Sequence, residues 1–460
     1  MKQNLLETYS RQLKVAEAYV AKNFDGKQIS ANTQLTTAVL LDNTNRWMTE
    51  ALDTRATERA DLGDWKKFCL NLTNIAVPSL IANDLVIVHP MTSYSGSVAY
   101  LEYVAKTNKG DVKQGDVFNS VFGLGETGPA RTAYSSQVIL ETIGSDGKVA
   151  LHPMATNRFA KTDDWGHPIE TGKDAKVIVD GNESYVSAAE LTDGSLPEGA
   201  RVAYFSEEFQ MEHVPAQDIP TIGPVMKRIA LVAEPRRIAV RYDQITAFQA
   251  KTDYGFSLDK QIAEQACGEL AFEIDTEIVD MLYKQAIDNK DLLKWNKVLP
   301  VGVSKFEHYN GFLEVVEDAK AIIYNRTKKF SANYMVCAAD VLPVLSFING
   351  YTAVKNPKMN GPYKAGELNG LTVFVSPSLP SGKFFLGLNG SDMMSSAGVY
   401  APYMAIVPTQ LLGTPDGGLA QGFSTWYAKA ILNANLLVAG EIVSEKEEGG
   451  EKVGVYQYRA

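Results

Sequence analysis

Between Ser257 and Asn289 an apolar side chain recurs every fourth position: Ile262, Ala266, Leu270, Ile274, Ile278 and Leu282. Cys267, Ala271 and Met281 widen the stripe. In a helix of 3.6 residues per turn these positions share one side, so the pattern predicts a helix over 257–289. Glu264, Glu269, Glu273, Asp275 and Asp280 fall on the other side and are expected to face water. Ser257 is placed to cap the first turn, and Asp259 to sit where the helix dipole favours an anion. No proline interrupts the run. At 1.5 Å per residue it reaches about 45 Å, far beyond a mean helix of about 12 residues. One buried face of that length needs a long surface to lie on.

The other segments supply it. Leu5, Leu6, Tyr9, Leu13, Ala16 and Val20 follow a three-and-four spacing, and Trp47, Met48, Leu52, Leu62 and Trp65 make a second patch. Both stripes are too thin for a domain, so residues 1 to about 70 read as a helical arm packed on another part of the chain or on another subunit. Leu85 to Val88 is a strand candidate stopped at Pro90. From about 117 the texture turns to β. Gly144-Ser145-Asp146-Gly147 and Asp180-Gly181 are turn signals between apolar runs, and about 145–205 reads as a small β-rich insertion. Two apolar runs flank Glu234-Pro235. A polar link around Lys294 to Ser304 leads to a second helix ending near Thr327. Tyr334 to Cys337 is a strand running through Ala338-Ala339-Asp340 into a short helix, and the remainder alternates as strands. There is no fixed-period repeat. The class expected is α+β.

With 460 residues, 45% hydrophobic and 21% charged, the chain has material for two to four folding units. The net charge of −10 shows no basic stripe of the sort that grips nucleic acid. Cys69, Cys267 and Cys337 are few, odd in number and far apart, which implies no disulfide framework and a reducing compartment. No run of about 18 apolar residues predicts a membrane span, and the first residues lack a secretory core.

Motifs for chemistry are thin. Gly123-Leu124-Gly125-Glu126-Thr127-Gly128 matches a dinucleotide loop, but Pro129 and a β-type run follow where a helix is required. His89, His152, His167, His213 and His308 show no metal-ligand spacing. Cys267 lies on the apolar stripe and reads as a core side chain. Glu269 and Glu273 lack an evident pocket. Arg236, Arg237 and Arg241 form a small basic cluster, read as ion-paired within or between chains, with a phosphate contact as the sharper alternative. No catalytic, cofactor-binding or metal-binding residue is assigned.

The order of blocks resembles the major capsid proteins of tailed double-stranded DNA phages, of the T-even type. The stretch from Met226 to Tyr283, with Glu273-Ile274-Asp275-Thr276-Glu277-Ile278-Val279-Asp280 inside it, resembles that family's strand, basic stretch and long helix. Asn333 to Ile348 resembles a strand and helix of its axial domain. Gly366 to Pro408 resembles its late segment, with Ala397-Gly398-Val399-Tyr400-Ala401-Pro402-Tyr403 the most telling piece. The resemblance covers about 85–445 with gaps. It implies the tailed-phage capsid (Johnson) fold, divided as follows: an N-terminal arm over 1–84, the start of a peripheral domain over 85–116, and an extended loop over 117–225. A peripheral domain over 226–304 would carry the spine helix 257–289, followed by an axial domain over 305–425 and a strand return and tail over 426–460.

It also implies a non-enzymatic shell subunit that self-assembles into hexameric capsomers of the virion, built in the host bacterial cytoplasm. Vertex, scaffold, portal and decoration proteins would be its partners, and it would enclose DNA without reading sequence. A vertex paralogue forming pentamers and an encapsulin-type shell share the same fold. An α/β nucleotide-binding enzyme using Gly123–Gly128 is the alternative of another class. Relatives are trimmed after a glutamate in an apolar-x-Glu pattern, which Glu7 and Glu17 match.

Overall fold

The structure is a computed structural model. It describes residues 2–23, 29–53, 80–107, 114–115, 138–143, 145, 147, 175–179, 182–186, 194, 196–205, 221–253, 255, 258–327, 329–355, 361–409, 412–413, 418–448 and 451–454.

The N-terminal helices are α1 (Lys2–Thr8), α2 (Ser10–Asn23) and α3 (Ala31–Asp53), followed by α4 (Ala82–Leu85) and β1 (Ile87–Val88). Next come β2 (Ser95–Ala105), β3 (Val138–Thr142), β4 (Ala175–Val179), β5 (Asn182–Val186), β6 (Arg201–Phe205) and β7 (Ile222–Val232). The middle of the chain holds β8 (Glu234–Asp243), α5 (Gln244–Asp253), α6 (Leu258–Asp288), β9 (Leu292–Asn296), α7 (Lys305–Asn310) and α8 (Phe312–Thr327). Then follow β10 (Tyr334–Cys337), α9 (Leu342–Leu345), β11 (Tyr351–Ala353), β12 (Tyr363–Leu368), β13 (Leu371–Val375) and β14 (Lys383–Gly387). The last elements are β15 (Gly398–Pro408), β16 (Leu412–Gly413), β17 (Gly418–Ile431), β18 (Val438–Val443) and the hairpin β19 (Glu445–Glu448) and β20 (Glu451–Gly454). The chain divides into two compact units, Met1–Val98 with Arg228–Ala460, and Ala99–Lys227.

In the Ala99–Lys227 unit four antiparallel strands run in the order β3-β6-β4-β5. Val179 lies opposite Asn182, so Asp180-Gly181 alone joins β4 to β5, as its turn signal predicts. The described partner of β3 is β6. Gly144, Asp146 and the run after Gly147 lie outside the described residues, as does Gly123–Gly128.

The larger unit is organised by two sheets. One has seven strands, ordered β11-β12-β13-β10-β14-β18-β9. The other joins β1, β15, β17 and β16 in a path, with β8 also on β17. The segment expected as axial, 305–425, therefore feeds both sheets: β10 to β14 enter the first, and β15 and β17 the second. The boundary at 425 falls inside β17, whose register with β15 runs on to Ile431 opposite Gly398. The seven-stranded sheet also recruits β9 and β18 from outside that segment. The polar link at Lys294 to Ser304 begins as strand β9, because Trp295 turns inward while Lys294 and Asn296 are less covered. After it, Ser304 caps α7 by accepting from the Glu307 amide at 3.4 Å. Asn369 (φ 44°) and Gly370 (φ 79°) close the β12–β13 hairpin, a two-residue turn that needs positive φ at both positions.

Helix α6 lies against both sheets. Its first half buries Ala263, Ala266, Cys267 and Leu270 against Ile406, Phe423, Ile238 and Val240 of the five-stranded sheet. Its second half sends Ile274, Ile278, Val279, Leu282 and Ala286 into the core of the seven-stranded sheet with Phe312, Phe384 and Phe385. The predicted stripe is thus the buried one, except that Ile262, Ala271 and Met281 are only half-buried. Ser257 lies outside the described residues, and so does the side chain of Asp259. One expectation is overturned. Asp275, assigned to the wet face, is 6% exposed. Position 275 follows the stripe residue Ile274 around the helix, and α4 packs over it.

The second face of the five-stranded sheet carries Val399, Ala401 and Ala428 together with Met91, Val98 and Leu231. Alternate β15 residues point to opposite faces, so Ala405 turns away from Ile406 and meets Leu40 of α3. The described helix α3 of the N-terminal segment packs on this sheet within the chain.

Candidate functional site

The richest polar cluster forms where α6 crosses β8 and β17. Glu273 and Glu277, four residues apart, project from one helix face. Beneath them the antiparallel register sets Arg236 opposite Thr425, with Tyr427 and Lys429 further along β17. Glu277 is the hub. Arg236 Nη2 lies 2.5 Å from its Oε2 and Lys429 Nζ 2.5 Å from its Oε1. The Tyr427 hydroxyl donates to Glu277 and accepts from Arg236 Nε at 2.6 Å. Glu273 takes a longer contact of 3.4 Å from Arg236 Nη1. Burial alone would raise the Glu277 pKa, but hydrogen bonds from Lys429, Tyr427 and Arg236 outweigh it and hold the carboxyl below its usual range. Burial, then the neighbouring Glu277, pushes the Tyr427 phenol up.

A cleft of about 420 Å³ opens beside this cluster. Its charges are already engaged with one another, so the arrangement fastens helix to sheet and leaves little free charge for a ligand. This resolves part of the basic cluster. Arg236 forms intrachain ion pairs, and the Arg237 guanidinium stacks on Trp426 at 5.9 Å. Arg241 sits opposite Ala420 and is exposed. Sequence reading quoted Glu277 only inside a longer run and missed Tyr427 and Lys429. An ion pair spanning some 150 residues leaves no local signal.

A second polar centre lies one position before Thr276 on α6. Asp275 accepts hydrogen bonds from the Ile81 amide at 3.2 Å and the Ala82 amide at 2.9 Å. It satisfies the free donors at the start of α4, as an N-cap does, from a distant helix. Burial pushes its carboxyl up to about 7 against the lowering effect of those two amides, and Asp84 raises it further.

The other candidates for chemistry among the described residues do not converge on a site. Cys267 is buried and its thiol is pushed up to about 12 by burial and by Glu264, which keeps it protonated. His308 Nε2 donates to the Asn296 carbonyl at 2.9 Å, and the ring stacks on Trp295 at 5.0 Å. The His89 amide donates to the Tyr400 carbonyl. Glu269 is exposed. Cys69, His152, His167 and His213 lie outside the described residues. Among the described residues no three His, Cys, Asp or Glu side chains converge as metal ligands, and no helix is long and apolar enough to cross a membrane.

Several large apolar side chains face outward. On α5, Ile245 is 65% and Phe248 70% exposed. On the loop and helix after β9, Val301 and Phe306 are exposed. Leu101, Tyr103, Ile222 and Met226 are exposed on β2 and β7, which pair as a two-stranded ribbon. Such side chains are the raw material of protein contacts.

The family described as "Major capsid protein Gp23" matches residues 62–455. The major capsid protein of Enterobacteria phage T6 is 22% identical over 399 residues, covering 79% of this chain and 77% of its own. That of Enterobacteria phage T4 is 20% identical over 393 residues, covering 79% and 74%. Among solved structures, a chain of Microbacterium phage Oxtober96 overlaps 86% of this chain and 97% of its own, at 11% identity and a TM-score of 0.38. The mature capsid of bacteriophage PhiM1 overlaps 50% and 77%, at 10% identity and a TM-score of 0.34. With a match that runs through both sheets and the whole of α6, this chain belongs to the T-even type family of major capsid proteins, Gp23.

Proposed function

We propose that this protein is the subunit from which a phage head shell is built, and that its work is mechanical rather than catalytic. The observation that carries the reading is the family match over residues 62–455, which takes in every element of the two-sheet core. The physics agrees. A shell subunit meets identical neighbours, and heterologous contacts that close produce rings. The outward apolar residues of α5 and of the loop after β9 are surfaces that such contacts would cover.

In this reading the copies form hexameric capsomers in the virion, assembled in the host bacterial cytoplasm. Vertex, scaffold, portal and decoration proteins complete the particle, and double-stranded DNA is enclosed without sequence-specific binding. The net charge of −10 suits a container that does not hold its polyanionic content. Electron microscopy of the expressed protein, alone and with its scaffold, tests the proposal. Rings of six and closed shells are expected. A compact monomer under both conditions, or turnover of a nucleotide by the purified chain, would overturn it.

A further inference from the structure

Helix α5 is built inside out. It follows directly on strand β8 and precedes α6. Of its described side chains only Ala250 is buried, whereas Ile245 is 65% and Phe248 70% exposed. Positions 245, 248 and 252 share one side of the helix, and 250 falls on the opposite side. A helix that serves its own core turns its bulky apolar residues inward. Here a single alanine faces in, and the isoleucine and phenylalanine face out. Thr252 completes the outer stripe. Its hydroxyl donates to the Phe248 carbonyl at 2.9 Å, so covering it costs no hydrogen bond.

The charges that bracket the stripe are opposite in sign. Arg241 lies just ahead of α5, and Asp253 is its last residue. Both are exposed, and among the described residues neither forms an ion pair. Asp243 between them is engaged at the helix start, where its Oδ1 accepts from the Ile245 amide at 3.4 Å. Two copies of α5 laid antiparallel would set Arg241 of each beside Asp253 of the other, with their dipoles opposed. Laid parallel, they would bring Asp253 against Asp253. A helix of 10 residues offers a strip about 15 Å by 10 Å, on the order of 150 Å² per copy. A contact that is stable by itself buries about 800 Å² per partner. The stripe therefore cannot hold two free subunits together and counts only where other contacts already array them.

We propose that α5 is a self-complementary clasp between capsomers: in the shell, α5 of one copy packs antiparallel on α5 of a second copy in the adjoining ring. The inference rests on the shell function proposed above and names the occupant of one surface within it. Contacts that close a ring are heterologous, one patch meeting a different patch, and rings alone do not make a wall. A contact between rings is a second kind. An isologous one joins a patch to itself, so the same residues serve at every edge that two rings share. Its small area keeps subunits from pairing through α5 before rings exist.

Single-cysteine variants test this, in a Cys69→Ser background with Cys267 and Cys337 left in place because both are buried. Phe248→Cys chains are assembled, shells and unjoined rings are separated by sedimentation, and a short bismaleimide is added to each. The clasp predicts a reduction-resistant band at twice the chain mass in shells and its loss in rings. Antiparallel packing also predicts that band in shells mixed from Arg241→Cys and Asp253→Cys chains, and not in shells of either alone. Shells without the Phe248→Cys dimer overturn the proposal. So does a dimer in isolated rings, which would place the contact inside the capsomer. A dimer from Asp253→Cys alone, the parallel arrangement, overturns it as well, and so does a Phe248→Cys thiol that is unreactive in the free subunit, because the chain itself would then cover the stripe. Gln249→Cys, which keeps both apolar side chains, repeats the test should Phe248→Cys chains stop at rings. Failure of the wild-type chain to form shells at all would count against the shell function, a separate result from shells that lack the dimer band.

Discussion

Asp275→Asn is the substitution on which the account of the core is most exposed. The carboxyl is buried, with its folded pKa raised from an ordinary 3.8 to about 7. The groups facing it are the Ile81 and Ala82 amides, Asp84 on α4 and the Tyr400 phenol on β15, itself raised by burial and so neutral across the working range. The folded state therefore binds a proton that the unfolded state releases between about pH 4 and 7. Stability is fully present below the unfolded value and is lost as pH rises through the folded one. A shift of about three units corresponds to roughly 4 kcal/mol. Asparagine cannot ionise, keeps one acceptor oxygen for the Ala82 amide and loses the other, at a cost of about 1 kcal/mol. The two unfolding curves should nearly coincide at pH 5 and separate by pH 8, with the variant then the more stable by a few kcal/mol. Urea unfolding of the unassembled subunit, followed by fluorescence of the buried Trp295, measures this at intervals from pH 5 to 8. A wild-type midpoint that holds level or rises over that range, or a variant that falls in parallel with it, would refute the argument.

Three more substitutions probe the same core. Leu282→Ala removes a fully buried side chain where α6 meets the seven-stranded sheet and should cost about 2–5 kcal/mol in urea unfolding; a loss under 1 would mean the site collapses freely. Glu277→Gln acts with the opposite pH sign: its depressed carboxyl stabilises above its ordinary 4.5 and loses that contribution as pH falls through the folded value. The variant's unfolding midpoint should lie below wild type at pH 7 and approach it in acid, and a deficit that persists unchanged at pH 3 would contradict the hub. Gly440→Ala places a methyl into the Phe384 ring across the β14–β18 pair and should destabilise by about 1–3 kcal/mol, whereas the same change at Gly413, where a methyl meets open space, should cost less.

The spine helix and the hairpins with tight turns were legible because their signals are local. A four-residue apolar rhythm survives any context, and an Asp-Gly pair between two apolar runs announces a hairpin such as β4–β5. Sheet membership was not legible. β9 and β18 lie outside the segment from which the other five strands of their sheet come, and only tertiary packing decides that Trp295 turns inward. Asp275 was misplaced for a related reason. A helical wheel sorts residues by polarity, while burial at its margin depends on whether a neighbour such as α4 arrives. The Glu277 hub was half visible: its acidic pair and Arg236 stood in the sequence, but the register that brings Tyr427 and Lys429 beneath them did not.

That α6 is anchored in two sheets at once bears on how a wall of such subunits would carry load. A container filled from within is stretched along its surface, and tension applied to one sheet must pass to the other through whatever connects them. Here the connection is an unbroken rod of 31 residues, its hydrogen bonds running lengthwise and its flanks clamped by Glu277 at one crossing and Asp275 beside it. The two sheets should then tilt and shift as one stiff plate, leaving strain to be absorbed where neighbouring plates meet.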